Sequence, residues 1–243
     1  VVKGITAYAQ RPKVWQQFLK RWFPDDFSAA LVLEGYIARL LHDPLNRPRW
    51  AMVFRSDQGT GKGFLTETLL PKIMGDTNVN ITSPDKIVGK FNGNQLSNKL
   101  IVLNETDNDR KATYTKLKDK ISDSIITVEE KYQNPVSQPL FNGTFVFSNE
   151  DYPLYAEEGD RRFYVTSRLK HHIDREETQK FIAVFAKWLD SRHGEGETQL
   201  LGWDIFAAWF AYVAKEKNYN DVNTYVVAQE GNRVSDLIVS PAT

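Results

Sequence analysis

The sequence contains no cysteine, and this absence excludes several kinds of chemistry at once. A chain without thiols has no disulfide framework, no thiol nucleophile and no cysteine-ligated metal. The sequence also lacks any apolar run of the roughly 18 residues that a membrane span needs. We therefore expect a protein that has no membrane partner and that is compatible with a reducing compartment.

Neither sign of charge predominates, because 31 Lys and Arg residues balance 31 Asp and Glu residues. This balance excludes a surface that is basic throughout, although it leaves room for a local basic site. The length of 243 residues is enough for one good core and a small subdomain. The chain begins with Val1 rather than Met, and from this we expect a piece of a longer polypeptide.

The signatures of several other enzyme classes are missing. The sequence has no G-x-S-x-G elbow for a serine nucleophile and no H-E-x-x-H pair for zinc. Carboxylates of the kind that a primase or polymerase uses are not evident in this chain, so we expect them to lie outside it if the parent protein has them. The four histidines, which show no metal-ligand spacing, are His42, His171, His172 and His193.

The hydrophobic pattern changes twice along the chain. Apolar residues of the first 45 positions recur every three or four residues, which predicts helices. From there to about residue 170, short apolar strands alternate with helical segments, which favours an α/β fold with a parallel sheet. Helical spacing returns from Asp174 onward, with predicted helices from Phe181 to Leu189 and from Trp203 to Lys215. The sequence therefore predicts a helical N-terminal region at 1–45, an α/β core at 46–170, and a helical C-terminal region with a tail at 171–243.

Residues 56–63, with the sequence SDQGTGKG, form the most informative segment. They follow a predicted strand and precede a predicted helix, which is the context of a phosphate-binding loop. Glycines let backbone N–H groups approach phosphate oxygens, and a lysine neutralises their charge. The alternative is an ordinary glycine-rich turn with an exposed lysine. The candidate phosphate-binding residues are Gln58, Gly59, Thr60, Gly61, Lys62 and Gly63.

Three later motifs fit a nucleotide site. Glu105 ends an apolar strand, where a carboxylate can polarise water or reach a metal through water. Asn149 ends another strand, where its amide can orient water or bind a phosphate. Arg161 and Arg162 precede a further strand, and an arginine supplied across a subunit boundary can stabilise charge on a phosphate. The alternatives are an unremarkable acidic strand end and a surface arginine pair in a salt bridge.

The order of these motifs resembles the superfamily 3 helicases, which are AAA+ ring ATPases of viruses, phages and plasmids. Residues 41–48 and 58–63 are most similar to the helicase part of D5-like phage and plasmid primase-helicases, and the resemblance covers about 28–170. It implies a P-loop AAA+ ATPase core with a parallel-type sheet, an N-terminal helical collar and a C-terminal helical region. It also implies an ATP-dependent helicase or translocase module in the cytoplasm of the host cell.

The resemblance assigns roles to single residues. Lys62 would bind the β- and γ-phosphates of ATP, Glu105 would be the acid of the Walker B motif, Asn149 the sensor, and Arg161 or Arg162 the arginine finger. Gly63 lacks the hydroxyl that normally contacts Mg²⁺, so the metal is expected to be held by phosphates and water, with Glu105 acting indirectly.

Family members also carry a β-hairpin that contacts single-stranded DNA in the channel of a ring. The corresponding tip in this sequence contains Lys131, which can meet a phosphate, and Tyr132, which can stack or pack on a sugar. The resemblance implies a homo-oligomer, expected to be a hexameric ring, and a linked or partner primase or polymerase domain. A plain surface hairpin is the alternative.

Two other functions remain open from the sequence alone. A P-loop kinase acting on a small molecule could use the arginine pair on a lid. An inactive AAA+ scaffold or DNA-binding module would agree with the missing hydroxyl at Gly63 and with Asn104 in place of a second acid.

Overall fold

The computed structural model describes residues 10–84, 86, 98–104, 115, 117–118, 120–128, 134–154, 160–196 and 199–216. The helices are α1 (Lys13–Trp22), α2 (Phe27–His42), α3 (Leu70–Met74), α4 (Arg175–Leu189) and α5 (Gly202–Glu216). A π-helical turn, Phe64–Leu69, leads directly into α3. Two short 3₁₀ helices span Pro44–Asn46 and Asp76–Asn78. The strands are β1 (Ala51–Arg55), β2 (Val79–Thr82), β3 (Leu100–Asn104), β4 (Ile125–Val128), β5 (Val136–Pro139), β6 (Gly143–Ser148), β7 (Phe163–Val165), β8 (Arg192–His193) and β9 (Leu200–Leu201).

The main sheet has five strands in the order β2-β3-β6-β1-β7, and all its neighbouring pairs are parallel. Strands β1, β6 and β7 are buried along their whole length, which explains why they read as continuous apolar runs rather than alternating ones. Two antiparallel pairs, β4 with β5 and β8 with β9, lie outside this sheet. The predicted α/β class with a mostly parallel sheet is confirmed.

The N-terminal helices share a core with the sheet and with the C-terminal helices. Trp15, Phe18 and Trp22 lie on the buried face of α1, as their spacing predicts, and pack in a cluster that includes Phe54 of β1 and Phe185 of α4. Burial of large aromatic side chains dominates the stability of such a core. The boundaries 1–45, 46–170 and 171–243 remain predictions.

The ring of Tyr36 fixes α2 against the start of the sheet. Its hydroxyl accepts a hydrogen bond from the backbone N–H of Thr144 at 2.7 Å and donates one to the carbonyl of Trp50 at 2.9 Å. A Cβ atom at Gly143 would lie 2.5 Å from Cε1 of Tyr36, so only glycine lets the ring approach β6 this closely. Burial raises the pKa of Tyr36 far above its usual value, so the phenol stays protonated.

Several segments differ in detail from their predicted form. The glycine-rich segment 56–63 leads into a π-helical turn rather than a regular helix, and β5 ends at Pro139 although the apolar residues Leu140 and Phe141 follow it. The C-terminal helix predicted from Phe181 begins earlier, because the Asp174 side chain accepts a hydrogen bond from Glu177 N and caps α4. Within the described part of the chain, no helix combines the length and the apolar character that crossing a membrane requires.

Candidate functional site

The glycine-rich loop lies at the carboxyl end of β1, a strand flanked on both sides within the sheet. Gly59 and Gly61 have φ angles of +87° and +100°, in the left-handed region that glycine adopts without strain. The chain turns helical at Lys62, so backbone N–H groups at the start of a helix lie next to this loop. Such N–H groups form a ready site for anions. The loop therefore makes a tight turn between β1 and a helix, and the binding of phosphate by this turn stays a prediction.

Side chains from distant parts of the sequence hold the outer side of the loop. Trp22 Nε1 donates a hydrogen bond to the carbonyl of Thr60 at 2.8 Å, and Nε2 of His171 lies 3.1 Å from the carbonyl of Gln58. Arg168 Nε donates to the carboxylate of Asp57 at 2.9 Å. No sequence pattern indicated His171 or Arg168 in this role, and helical spacing indicated only that Trp22 lies on the buried face of α1. These contacts fix the outer side of the loop.

Two of the predicted site residues contact each other. Lys62 Nζ donates a hydrogen bond to Asn149 Oδ1 at 2.7 Å. Asn149 follows β6, which neighbours β1 in the sheet, so both residues lie at the carboxyl edge. A cleft of about 170 Å³ opens beside this pair. It is lined by Lys62, Gly63, Thr66, Glu67, Asn104, Phe147, Ser148 and Asn149.

Other predicted residues fall outside the described part of the chain. Glu105 comes directly after Asn104, the last residue of β3 and part of the cleft lining, but Glu105 itself is not among the described residues. The same holds for Lys131 and Tyr132, in the connection between β4 and β5. Across the residues that are described, no group of three or more His, Cys, Asp or Glu side chains could hold a metal ion.

Arg161 and Arg162 lie at the opposite edge of the sheet from the loop. They precede β7, and the carbonyl of Arg162 accepts a hydrogen bond from the N–H of Ala51, the first residue of β1. The Arg162 side chain pairs with Asp160 at 3.3 Å and donates to Ser122 Oγ at 3.1 Å, whereas Arg161 is exposed. Within one chain, the structure does not bring either arginine to Lys62.

A second, larger cleft adjoins the outer side of the loop. Its volume is about 640 Å³, within the range of small-molecule sites. It lies between the α1–α2 turn and the segment that follows β7. Its lining combines four arginine or lysine side chains and two histidines with two aspartates: Arg21, Trp22, Pro24, Asp25, Asp26, Arg55, Ser167, Arg168, Lys170, His171 and His172.

Arg175, the first residue of α4, extends its side chain to the glycine-rich loop. A Cβ atom at Gly59 would lie 3.2 Å from Nε of Arg175, so the arginine side chain runs along the glycine. Arg175 is exposed, and it has no ion-pair or hydrogen-bond partner among the described residues. A guanidinium thus lies beside Gly59 of the loop.

Comparison with known proteins gives a first indication of biological context. Residues 54–162 match the model of a family described as "Family of unknown function (DUF5906)". A curated relative, the DNA Primase-polymerase of Nitratiruptor phage NrS-1, is 32% identical over 162 residues. That match covers 64% of this chain and 22% of the relative, so this chain spans about a fifth of that protein's length.

Solved structures of the NrS-1 C terminal region share the fold. One apo structure has a TM-score of 0.62 at 20% identity, covering 92% of this chain and 52% of that one. The A form apo structure of residues 305–718 has a TM-score of 0.59 at 22% identity, and the match covers 83% of this chain and 45% of that chain. At this level of identity, the likeness concerns the fold alone.

These similarities correct the function inferred from the sequence. They support a relationship to a phage replication protein, but not to a superfamily 3 helicase domain. The prediction of an ATP-driven helicase or translocase is wrong, because the relative is named a DNA primase-polymerase, which points to primase or polymerase function. The same finding overturns the two alternatives, a small-molecule kinase and an inactive scaffold. The relative is named as an enzyme, but its name does not support the predicted ATPase activity.

Proposed function

We propose that this chain is a nucleotide-binding part of a phage DNA-replication protein of the primase-polymerase kind, acting in the host cytoplasm. Residues 57–63 would bind the triphosphate of a nucleotide such as ATP. The observation that carries this proposal is the placement of the Lys62 ammonium, 2.7 Å from Asn149 Oδ1 at the carboxyl edge of the sheet. Ligands of open α/β sheets bind at this edge.

The geometry gives each part of a nucleotide a place. The backbone N–H groups around Gly59 and Gly61 would bind phosphate oxygens, and Lys62 would neutralise their charge. The 640 Å³ cleft adjoins the loop and has room for a base and a ribose. This arrangement, together with the sheet order, supports a P-loop core of the AAA+ type.

Mg²⁺ would accompany the triphosphate in this site. Mg²⁺ in nucleotide sites is usually held by one or two carboxylates, phosphate oxygens and water, so the lack of a larger acidic cluster in the described residues agrees with such binding. Glu105, next after Asn104 in the chain, is proposed to act on the metal through water.

Because the relative is named a DNA Primase-polymerase, nucleotidyl transfer is proposed as an activity of the wider protein. A primase-polymerase needs nucleotides and a single-stranded template, so a module that binds both would serve it directly. The β4–β5 pair is proposed to contact single-stranded DNA through Lys131 and Tyr132, which lie between these two strands in the sequence. At such an interface a lysine can contact a phosphate and a tyrosine can stack on a base or pack on a sugar.

Arg161 supports a homo-oligomer, expected to be a hexameric ring. It is exposed at the edge of the sheet opposite the loop, so it could contact a bound triphosphate only in a neighbouring copy. Light scattering with and without ATP tests this part of the proposal. A chain that stays monomeric at micromolar concentration with nucleotide would contradict it.

Equilibrium binding of a fluorescent ATP analogue tests the nucleotide site. We expect Lys62→Ala to weaken binding by about tenfold or more, because a charge-assisted contact to phosphate is lost. Lys180→Ala removes an exposed lysine of α4 that pairs with Glu176 and serves as the matched control. Equal affinities of Lys62→Ala and the unmodified chain would overturn the assignment of residues 57–63.

A further inference from the structure

The position after Lys62 normally carries a serine or threonine whose hydroxyl contacts Mg²⁺, but this chain has glycine there. The structure shows what lies beside that missing side chain. A Cβ atom at Gly63 would lie 3.3 Å from Oε1 of Glu67 and 3.6 Å from Oε2. The carboxylate of Glu67 is thus next to the space into which a hydroxyl would project.

The local backbone explains why Glu67 reaches this place. Glu67 lies in the π-helical turn Phe64–Leu69, four residues after Gly63. Side chains of a helix point back towards its N-terminus, so the side chain of Glu67 leans over Gly63 and the loop. Single π-helical turns within a helix are frequently found at functional sites.

The surroundings of Glu67 contain a cation but give the carboxylate no ion pair. Glu67 lines the 170 Å³ cleft together with Lys62, whose Nζ donates to Asn149. Among the described residues, Glu67 has no hydrogen-bond or salt-bridge partner and is exposed. A bare carboxylate beside a triphosphate would repel it, unless a cation lay between the two.

We propose that Glu67 supplies a carboxylate oxygen to the Mg²⁺ that accompanies the triphosphate, in place of the hydroxyl that Gly63 lacks. This inference rests on the proposed nucleotide site at residues 57–63. Mg²⁺ prefers oxygen ligands and is commonly bound by one or two carboxylates plus phosphate oxygens and water. Glycine at position 63 leaves the space that the carboxylate needs.

Nucleotide affinity with and without metal tests the proposal. For the unmodified chain, ATP should bind more tightly in Mg²⁺ than in EDTA. Glu67→Gln should reduce this metal effect by about tenfold, because a charged ligand is lost. In EDTA the same variant should bind ATP as tightly as the unmodified chain or more tightly, since a repulsive charge has gone. Glu195→Gln, an exposed glutamate between β8 and β9, is the matched control.

A restored hydroxyl gives an independent readout. Gly63 has φ −59° and ψ −37°, which serine also adopts. Gly63→Ser combined with Glu67→Gln should therefore recover the Mg²⁺ effect that Glu67→Gln loses. The electron paramagnetic resonance spectrum of Mn²⁺ with ATP gives a second test. The unmodified chain and the double variant should both change this spectrum, whereas Glu67→Gln should change it little.

The outcomes separate this inference from the proposed function. If Lys62→Ala binds ATP normally, the nucleotide site itself is wrong. If Lys62→Ala loses ATP but Glu67→Gln keeps the full Mg²⁺ effect, the site stands and the role of Glu67 is overturned. An unmodified chain that binds ATP equally in Mg²⁺ and EDTA would also overturn it.

Discussion

Lys62 and Asn149 are 87 positions apart in the chain, yet Lys62 Nζ donates a hydrogen bond to Asn149 Oδ1 over a distance of 2.7 Å. The contact follows from the parallel pairing of β1 with β6, which brings the residues after both strands to one edge. In this pair the neutral amide oxygen of Asn149 accepts the hydrogen bond and orients the ammonium of Lys62 towards the cleft. An ammonium at this edge can donate charge-assisted hydrogen bonds to an anion.

Replacing Asn149 by aspartate should weaken ATP binding by about tenfold. The carboxylate would form an ion pair with Lys62 and would also repel the phosphates, while the shape of the side chain stays almost the same. Fluorescent-nucleotide titration measures the change.

Asn149→Ala separates the loss of the hydrogen bond to Lys62 from the effect of the negative charge that Asn149→Asp adds. It removes the hydrogen bond without adding charge, so it should weaken ATP binding less than Asn149→Asp does. If the aspartate variant binds ATP as well as the alanine variant, the electrostatic account of this pair is wrong.

The sequence identified Lys62 and Asn149 as candidate site residues because the signals for both are local. An apolar strand that ends in a polar residue, and a glycine-rich turn after a strand, are visible within a few residues, and parallel pairing then brings them together. The residues that fix the loop from outside gave no such signal. Arg168 and His171 reach it from beyond β7 through the fold. Glu67 was also missed, because nothing in the sequence indicates a π-helical turn.

Alanine at Gly61 should lower the free energy of unfolding by about 2 kcal/mol or more. Its φ of +100° strains any residue with a Cβ, which costs about 1–2 kcal/mol. The added Cβ would also lie 3.3 Å from Cε2 of Phe18, so this packed ring of α1 would have to give by a few tenths of an ångström, and it would contact Cδ1 of Ile182 in α4 at 3.4 Å. Urea denaturation monitored by tryptophan fluorescence measures the loss.

Gly196→Ala is the matched control for this substitution. Gly196 also has a positive φ, +56°, but nothing lies within 4 Å of its added Cβ. Its cost should therefore be the backbone strain alone, about 1 kcal/mol. Equal losses at Gly61 and Gly196 would show that the packing of α1 and α4 against the loop contributes little.

Arg175→Ala should weaken ATP binding several-fold without changing the melting temperature of the free protein. The guanidinium runs along Gly59 but is exposed and makes no ion pair with the described residues, so its loss should not affect folding. It would contact the bound anion, and Arg175→Lys should retain part of the affinity.

A thermal-shift experiment with and without ATP measures both the melting temperature of the free Arg175→Ala variant and the stabilisation that ATP gives it. Lys187→Ala removes an exposed cation near the other end of α4 and is the control. If Arg175→Ala lowers the melting temperature of the free protein as much as that of the complex, its role is structural. An ATP-induced shift equal to that of the control would exclude a contact with the nucleotide.

Glu34 joins three helices through its buried carboxylate, and its removal should cost about 3–5 kcal/mol of stability. Oε1 accepts hydrogen bonds from Nε1 of both Trp15 in α1 and Trp209 in α5, each at 2.8 Å, and Oε2 accepts one from Arg11. Alanine at position 34 would leave the two indole N–H groups and the arginine without their acceptor in a core that excludes water. Denaturant unfolding of Glu34→Ala measures the loss.

Two further variants distinguish the buried network from an ordinary charge pair. Trp209→Phe removes one donor and keeps the carboxylate paired with Trp15 and Arg11, so it should cost less than Glu34→Ala, about 1–2 kcal/mol. Glu176→Ala removes a glutamate from an exposed pair with Lys180 and should change stability by less than about 0.5 kcal/mol. If Glu34→Ala costs no more than Glu176→Ala, Glu34 does not hold α1 and α5 to α2. The packing of Trp15 and Trp209 rather than their hydrogen bonds to Glu34 would then account for the contact of α1 and α5 with α2.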